Sequence, residues 1–100
     1  MTIMEVEHRG VRLRFSVPNS VCAYRVETFS TKEPETLDWV DRLAPGSVLW
    51  DIGANIGLYS CYAALARDLD VYAFEPSVFN VGSLARNIDA NGLGGKVTLV

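Results

Sequence analysis

Polar and apolar positions alternate strictly near the start of the chain. Val11, Leu13, Phe15 and Val17 are separated by Arg12, Arg14 and Ser16, the period of two that gives a strand one dry and one wet face. With residues 3–8 before it and Arg9-Gly10 between them, the pattern predicts a β-hairpin over 3–8 and 11–17. Pro18-Asn19-Ser20 ends the second strand and offers a cap for a short helix over 21–28, although Tyr24, Val26 and Thr28 also fit an extended segment. Residues 34–43 read as a helix. Pro34 suits a first turn, where its missing N–H is no loss, and Glu33 and Glu35 stand at the positive end of the helix dipole. Leu37, Val40 and Leu43 then form an apolar stripe, and Ala44-Pro45-Gly46-Ser47 breaks it.

From Val48 onward the alternation disappears. Val48-Leu49-Trp50 is a wholly apolar strand, residues 52–57 a Gly-rich turn, and 57–67 an almost wholly apolar helix with Leu58, Cys61, Tyr62 and Leu65 on adjoining faces. Residues 70–74 form a second apolar strand. Ser77 caps a helix over 78–90 with Val81, Leu84, Ala85 and Ile88 on one stripe, Gly92 ends it, and 96–100 begin a third strand. The order β-α-β-α-β with apolar strands predicts an α/β fold whose parallel sheet is buried on both faces, with right-handed crossovers. The first strand of that sheet is left with an open edge, which invites pairing with a further strand or a second copy of the chain.

Composition narrows the partners. Nine Lys+Arg stand against twelve Asp+Glu, for a net charge of −3. That excludes the basic footprint of a nucleic-acid binder and a polybasic patch for anionic lipid. A hydrophobic fraction of 49% suffices for a packed core. The longest apolar run, near Leu58 to Ala66, falls far short of the roughly 20 residues that span a bilayer. No basic stretch followed by an apolar one marks a secretory leader at Met1-Thr2-Ile3-Met4-Glu5. Cys22 and Cys61 make no disulfide framework and read as core thiols. A reducing, cytoplasmic setting is the expectation. His8 is the single histidine, expected exposed at the hairpin turn, and it makes no metal cluster.

The chemistry concentrates in Asp51-Ile52-Gly53-Ala54-Asn55-Ile56-Gly57, which follows a buried strand and opens a helix. An α/β sheet binds nucleotides at the carboxyl ends of its strands. Gly53 and Gly57 allow a tight turn and close approach of a ligand, and exposed N–H groups at the helix start are expected to attract an anion. A dinucleotide fingerprint requires Gly-x-Gly-x-x-Gly, whose middle glycine admits a pyrophosphate. Here Asn55 takes that place, and Asp51 adds a carboxylate at the mouth. The carboxylate repels a pyrophosphate and suits a cationic centre such as a sulfonium. The turn therefore favours S-adenosylmethionine over NAD. Glu75 ends the next strand in Val71-Tyr72-Ala73-Phe74-Glu75-Pro76. An acid about 20 residues beyond the loop is placed to accept both ribose hydroxyls.

The loop with Leu58-Tyr59-Ser60, the Tyr72-Ala73-Phe74-Glu75-Pro76 segment, Asn87-Ile88 with Asn91, and the upstream run Thr31 to Val40 resemble the FkbM family of S-adenosylmethionine-dependent methyltransferases. The resemblance covers residues 28–100. It implies a Rossmann-like class I methyltransferase sheet, of which this chain carries the first β-α-β-α-β half preceded by the hairpin and helix. It also implies methylation of a hydroxyl on a sugar, glycan or other small molecule. Residues 1–30 then form a lead-in segment, and 31–100 the first half of a cofactor domain. Carried over by motif, Asp51, Gly53, Asn55 and Gly57 form the cofactor loop and Glu75 binds the ribose. Glu35 and Thr36, at the start of the helix that begins at Pro34, lie over the methionine end of the cofactor, although helix capping explains the acids of Glu33-Pro34-Glu35-Thr36 equally well. No residue stands out as a general base. Two alternatives remain: an NAD-linked or nucleotide-sugar enzyme on a similar sheet, and a non-catalytic piece of a larger protein.

Overall fold

Alternation in the N-terminal segment is realised as the expected hairpin. The computed structural model describes residues 2–100. In it β1 (Ile3–His8) pairs antiparallel with β2 (Val11–Ser16), Met4 opposite Phe15 and Val6 opposite Leu13. Arg9 and Gly10 both take left-handed conformations, φ 49° and 85°, as a two-residue turn between twisted strands requires. Leu13 and Phe15 are fully buried. His8 is buried as well, contrary to the expectation of an exposed turn residue. It stands on the same face of β1 as Met4 and Val6, so alternation carries it inward. There its ring meets Phe29 and Tyr62 edge-on, and its Nδ1 lies 2.8 Å from the Ser30 hydroxyl.

The ambiguous stretch that follows is helical. α1 (Ser20–Glu27) is capped by Asn19, whose Oδ1 accepts from the Cys22 N–H at 2.9 Å. A short helix not foreseen in the sequence, α2 (Phe29–Lys32), follows because Phe29 is drawn into the core. α3 (Pro34–Asp41) buries Leu37 and Val40 as expected.

Three strands, β3 (Val48–Ile52), β4 (Asp70–Phe74) and β5 (Val97–Leu99), form a parallel sheet in the order β3-β4-β5, connected by α4 (Leu58–Arg67) and α5 (Val78–Ala90). The face carrying Val71, Ala73 and Val97 is buried, and α4 packs against it. The opposite face is bare: Val48, Trp50 and Ile52 are 62%, 67% and 71% exposed, and Tyr72 40%. The expectation of a sheet buried on both faces therefore holds for one face only, because no described element lies across the other. β3 is an edge strand, as read from the sequence.

Two asparagines, Asn87 on α5 and Asn91 at its C-cap, fasten the hairpin to this layer. Buried Asn87 accepts from the Ser16 N–H and donates to the Ile56 carbonyl, both at 2.7 Å. One turn later, Asn91 accepts from the Arg14 N–H and donates to the Arg14 carbonyl, both at 2.8 Å. The helix then ends in a Schellman turn. Gly92 takes φ 66°, and the N–H groups of Gly92 and Leu93 reach Asp89 and Ile88 at 3.0 and 2.9 Å. Among the described residues no helix is long and apolar enough to cross a membrane.

Candidate functional site

The parallel register decides where the carboxylate at the end of β3 goes. Asp51 pairs with Ala73 and so points to the helix-covered face. Its Oδ2 accepts from the Ser60 hydroxyl on α4 at 2.6 Å. Burial raises its pKa above the ordinary value, the Ser60 bonds oppose the shift, and the charge of Glu75 adds to it.

Beyond Ile52 the chain turns over the end of β4 and is sewn to it. The N–H groups of Gly53 and Ala54 both donate to the Phe74 carbonyl, at 2.8 and 2.9 Å. The Asn55 N–H donates to Glu75 Oε1 at 2.7 Å, and the Gly57 N–H returns to the Ala54 carbonyl at 3.0 Å. The N–H groups of Gly53, Ala54 and Asn55 are therefore satisfied within the chain. The turn is tight enough for the strand end and Glu75 to take them. Glu75 Oε2 accepts from the Ser77 N–H at 3.0 Å and from the Asn80 amide at 3.4 Å. The Ser77 bond is the largest of the influences that hold its pKa below the ordinary value. Desolvation opposes it, and the Asn55 and Asn80 bonds and the Arg25 charge reinforce it.

Each special conformation in the turn has its own cause. Gly53 has φ 74°, and a Cβ there would meet nothing within 4 Å, so its bare Cα faces open space. Asn55 holds φ 60°, which Asn tolerates better than most side chains, and its Oδ1 accepts from Arg25 Nη1 at 2.8 Å. Gly57 is buried, with φ 94°, and a Cβ on it would stand 2.6 Å from Leu84 Cδ1. Packing of this turn against α5 thus demands this glycine.

Beside the turn lies an open cleft of about 210 Å³, lined by Gly53 and Asn55 of the turn, Tyr59 of α4, Arg25 of α1 and Lys32 of α2 among others. Glu33 also reaches it, and its Oε2 accepts from the Tyr59 hydroxyl at 2.9 Å. Of the residues singled out in the sequence, Gly53 and Asn55 line the cleft, Glu75 touches it through the Asn55 N–H, and Asp51 and Gly57 lie behind the turn. Glu35 is exposed and Thr36 half-buried, and neither lines the cleft. Glu33 was weighed only as part of the Glu33-Pro34-Glu35-Thr36 helix start, and Arg25 and Lys32 were not singled out as site residues. Their signal is helical spacing: Arg25, Phe29 and Lys32 fall on one face once residues 20–32 are read as continuous helical chain.

Two tyrosines are packed aromatics with bonded hydroxyls, as expected. Tyr62 donates to Asp41 Oδ1 at 2.6 Å, and burial pushes its pKa up to about 12. Burial also raises Tyr59, and it pushes the Cys61 thiol up to about 12. Among the described residues no group of His, Cys, Asp and Glu could hold a metal.

No family model matches the chain. The hexuronic acid methyltransferase AglP of Haloferax volcanii is 28% identical over 86 residues, which are 86% of this chain and 35% of AglP. The 31-O-demethyl-FK506 methyltransferase FkbM of Streptomyces tacrolimicus is 38% identical over 56 residues, 55% of this chain and 22% of that protein. The chain thus spans about a third or less of the length of these curated relatives. Among solved structures, TYW2 of M. jannaschii in complex with AdoMet superposes with a TM-score of 0.66 at 19% identity, over 99% of this chain and 42% of the other. The fold is accordingly the first half of a Rossmann-like class I methyltransferase sheet, with the hairpin in front of it.

Proposed function

We propose that this chain contributes the cofactor-binding half of a methyltransferase that uses S-adenosylmethionine, with residues 1–30 as lead-in and 31–100 as the first half of the cofactor domain. The observation that carries the reading is the bond from the Asn55 N–H to Glu75 Oε1 at 2.7 Å. It joins the Gly-rich turn and the acid at the tip of β4 into one preformed site. An ionised carboxylate has about four acceptor positions, and Asn55, Ser77 and Asn80 take three of those on Glu75, which leaves room for one ribose hydroxyl. Gly53 leaves open space where a nucleoside would pass the turn. The Asp51 carboxylate behind the turn adds negative potential suited to a sulfonium.

Glu75 and the turn at Gly53 and Asn55 would hold the cofactor, which would supply an electrophilic methyl group to an acceptor oxygen, with the neutral thioether as leaving group and the hydroxyl proton released to water. The residues of this chain bind and orient. In-line positioning of two reactants accounts for up to about 7–11 kcal/mol of such a barrier. The acceptor is a hydroxyl on a sugar or another small molecule, a reading supported by the names of AglP and FkbM. A cytoplasmic setting belongs to the same proposal. A pyrophosphate cofactor is disfavoured because Phe74 and Glu75 already take the N–H groups of the turn. The bare face of β3 favours a second reading, in which this chain alone is a piece without turnover.

Thermal unfolding with S-adenosylmethionine, S-adenosylhomocysteine or NAD tests the site. The first two ligands should raise Tm in proportion to occupancy and NAD should leave it unchanged. Stabilisation by NAD alone refutes the proposal.

A further inference from the structure

The hairpin is tied to the rest of the chain in two places. Asn87 and Asn91 hold the backbone of β2, and the tip reaches the other way. There Arg9 Nη2 donates to Asp38 Oδ1 and Nη1 to Asp41 Oδ2, two carboxylates one turn apart on α3. Asp41 also accepts from the Tyr62 hydroxyl of α4, at 2.6 Å. Beside Arg9, His8 places Nδ1 2.8 Å from the Ser30 hydroxyl on α2, and its ring stands edge-on to Phe29 and Tyr62. An isolated exposed ion pair contributes little. A guanidinium fork across two carboxylates fixes direction as well as distance, and here it belongs to a network that joins the hairpin, α3 and α4.

The helices gripped by the tip have little of their own to hold them. α2 is four residues long, and neither α2 nor α3 has a side-chain cap bond among the described residues. Both nevertheless wall the cleft, α2 through Phe29 and α3 through Glu33 at its N-cap. Tyr59 meets both, with its ring 5.8 Å from Phe29 and its hydroxyl on Glu33 Oε2. His8, Arg9, Asp38 and Asp41 do not line the cleft. We infer that the hairpin tip is a clamp for this wall. Arg9 is a positioning residue that acts through Asp38 and Asp41 on α3, with His8 bracing α2, and it keeps Phe29 and Glu33 where a ligand in the cleft meets them. The inference rests on the function proposed above for the identity of that ligand. Without the clamp the wall samples other arrangements, and apparent affinity falls with the fraction of chains that keep the cleft formed.

Hydrogen–deuterium exchange and calorimetric titration with S-adenosylhomocysteine test the clamp in the native chain, R9Q, D38N/D41N and the triple variant, well below Tm. D41N keeps an acceptor for the Tyr62 hydroxyl, so it breaks the clamp from the other side without orphaning that group. In R9Q and in D38N/D41N, amides of residues 28–41 should exchange faster while β3, β4 and α5 keep their native protection. S-adenosylhomocysteine should bind about 3–10-fold more weakly to both. The triple variant should bind no more weakly than R9Q, as partners in one interaction require. Exchange that rises equally in every element overturns the inference, because Arg9 then serves overall stability alone. So does native exchange over 28–41, native affinity in R9Q, or losses that add in the triple variant. If the native chain does not bind S-adenosylhomocysteine, the proposed function fails. Exchange over 28–41 then decides the clamp by the same criteria.

Discussion

Asn87→Leu tests whether the amide on α5 holds hairpin, helix and turn together. Leucine keeps nearly the same volume but neither accepts nor donates. In the native chain the amide is fully buried and makes two bonds of 2.7 Å, to the Ser16 N–H and the Ile56 carbonyl. Removing one partner of a buried hydrogen bond costs about 1–3 kcal/mol, so two give roughly 2–6 kcal/mol, and the added apolar burial returns about 1 kcal/mol of this. The expected loss of roughly 1–5 kcal/mol is a large part of the ~5–15 kcal/mol that stabilises a domain. Urea unfolding followed by circular dichroism reads it. With a slope near 1 kcal/mol/M for a small protein, the midpoint falls by about 1–5 M. Asn91→Leu serves as the comparison. It is half-buried and its partners reach water, so its cost should be smaller. A midpoint shift for Asn87→Leu below about 0.5 M at unchanged slope, or a larger shift for Asn91→Leu, refutes the reasoning.

Further outcomes follow from the site itself. Glu75→Gln places an amide where both oxygens now accept, so S-adenosylhomocysteine should bind roughly 10–100-fold more weakly by titration calorimetry; unchanged affinity removes Glu75 from the site. Asp51 has a native pKa raised above 3.8, chiefly by burial, so the folded state favours the protonated acid. Its effect on stability is least unfavourable below 3.8 and grows as pH rises through the raised value. Asp51→Asn should therefore gain stability relative to the native chain as pH is raised from about 4 towards 7, and a pH-independent difference in urea midpoints contradicts this. Gly57→Ala meets both a φ of 94° and Leu84 Cδ1 at 2.6 Å. Left-handed strain of about 1–2 kcal/mol and overpacking of about 1–3 kcal/mol should lower the unfolding midpoint clearly; a native-like midpoint shows that Leu84 yields freely and the backbone is not strained.

Much of the layout was legible because it rests on local chemistry. The hairpin announces itself through alternation with Arg9-Gly10, and α5 through Ser77 and Gly92 at its two ends. The three parallel strands follow from apolar runs separated by helical stripes. What the sequence hides depends on contacts remote along the chain. His8 was read by its place near a turn, whereas the dry face of β1 decides its burial. The bare face of β3 looks no different in sequence from a covered one, because apolar runs record what a sheet is built to bury and not what lies against it. In the site, Gly53, Asn55 and Glu75 were found through motif spacing, and the structure joins the turn to Glu75 by hydrogen bonds. Gly57 was grouped with them by motif, although its contact is with Leu84. Arg25 and Lys32 went unnoticed because α1 and α2 had no clear period until Asn19 and Phe29 fixed them as helix.

Two amides, those of Gly53 and Ala54, share the Phe74 carbonyl, and this division of one acceptor makes the turn an extension of the sheet. Its shape is already set before any guest arrives, so little ordering entropy is charged to association. Compliance belongs instead to α1 and α2, which carry Arg25 and Lys32 on short segments of which only α1 has a side-chain cap. The chain thus presents a fixed floor beneath a yielding flank, and whatever adjustment accompanies capture should travel toward the N-terminus, leaving the strands at rest.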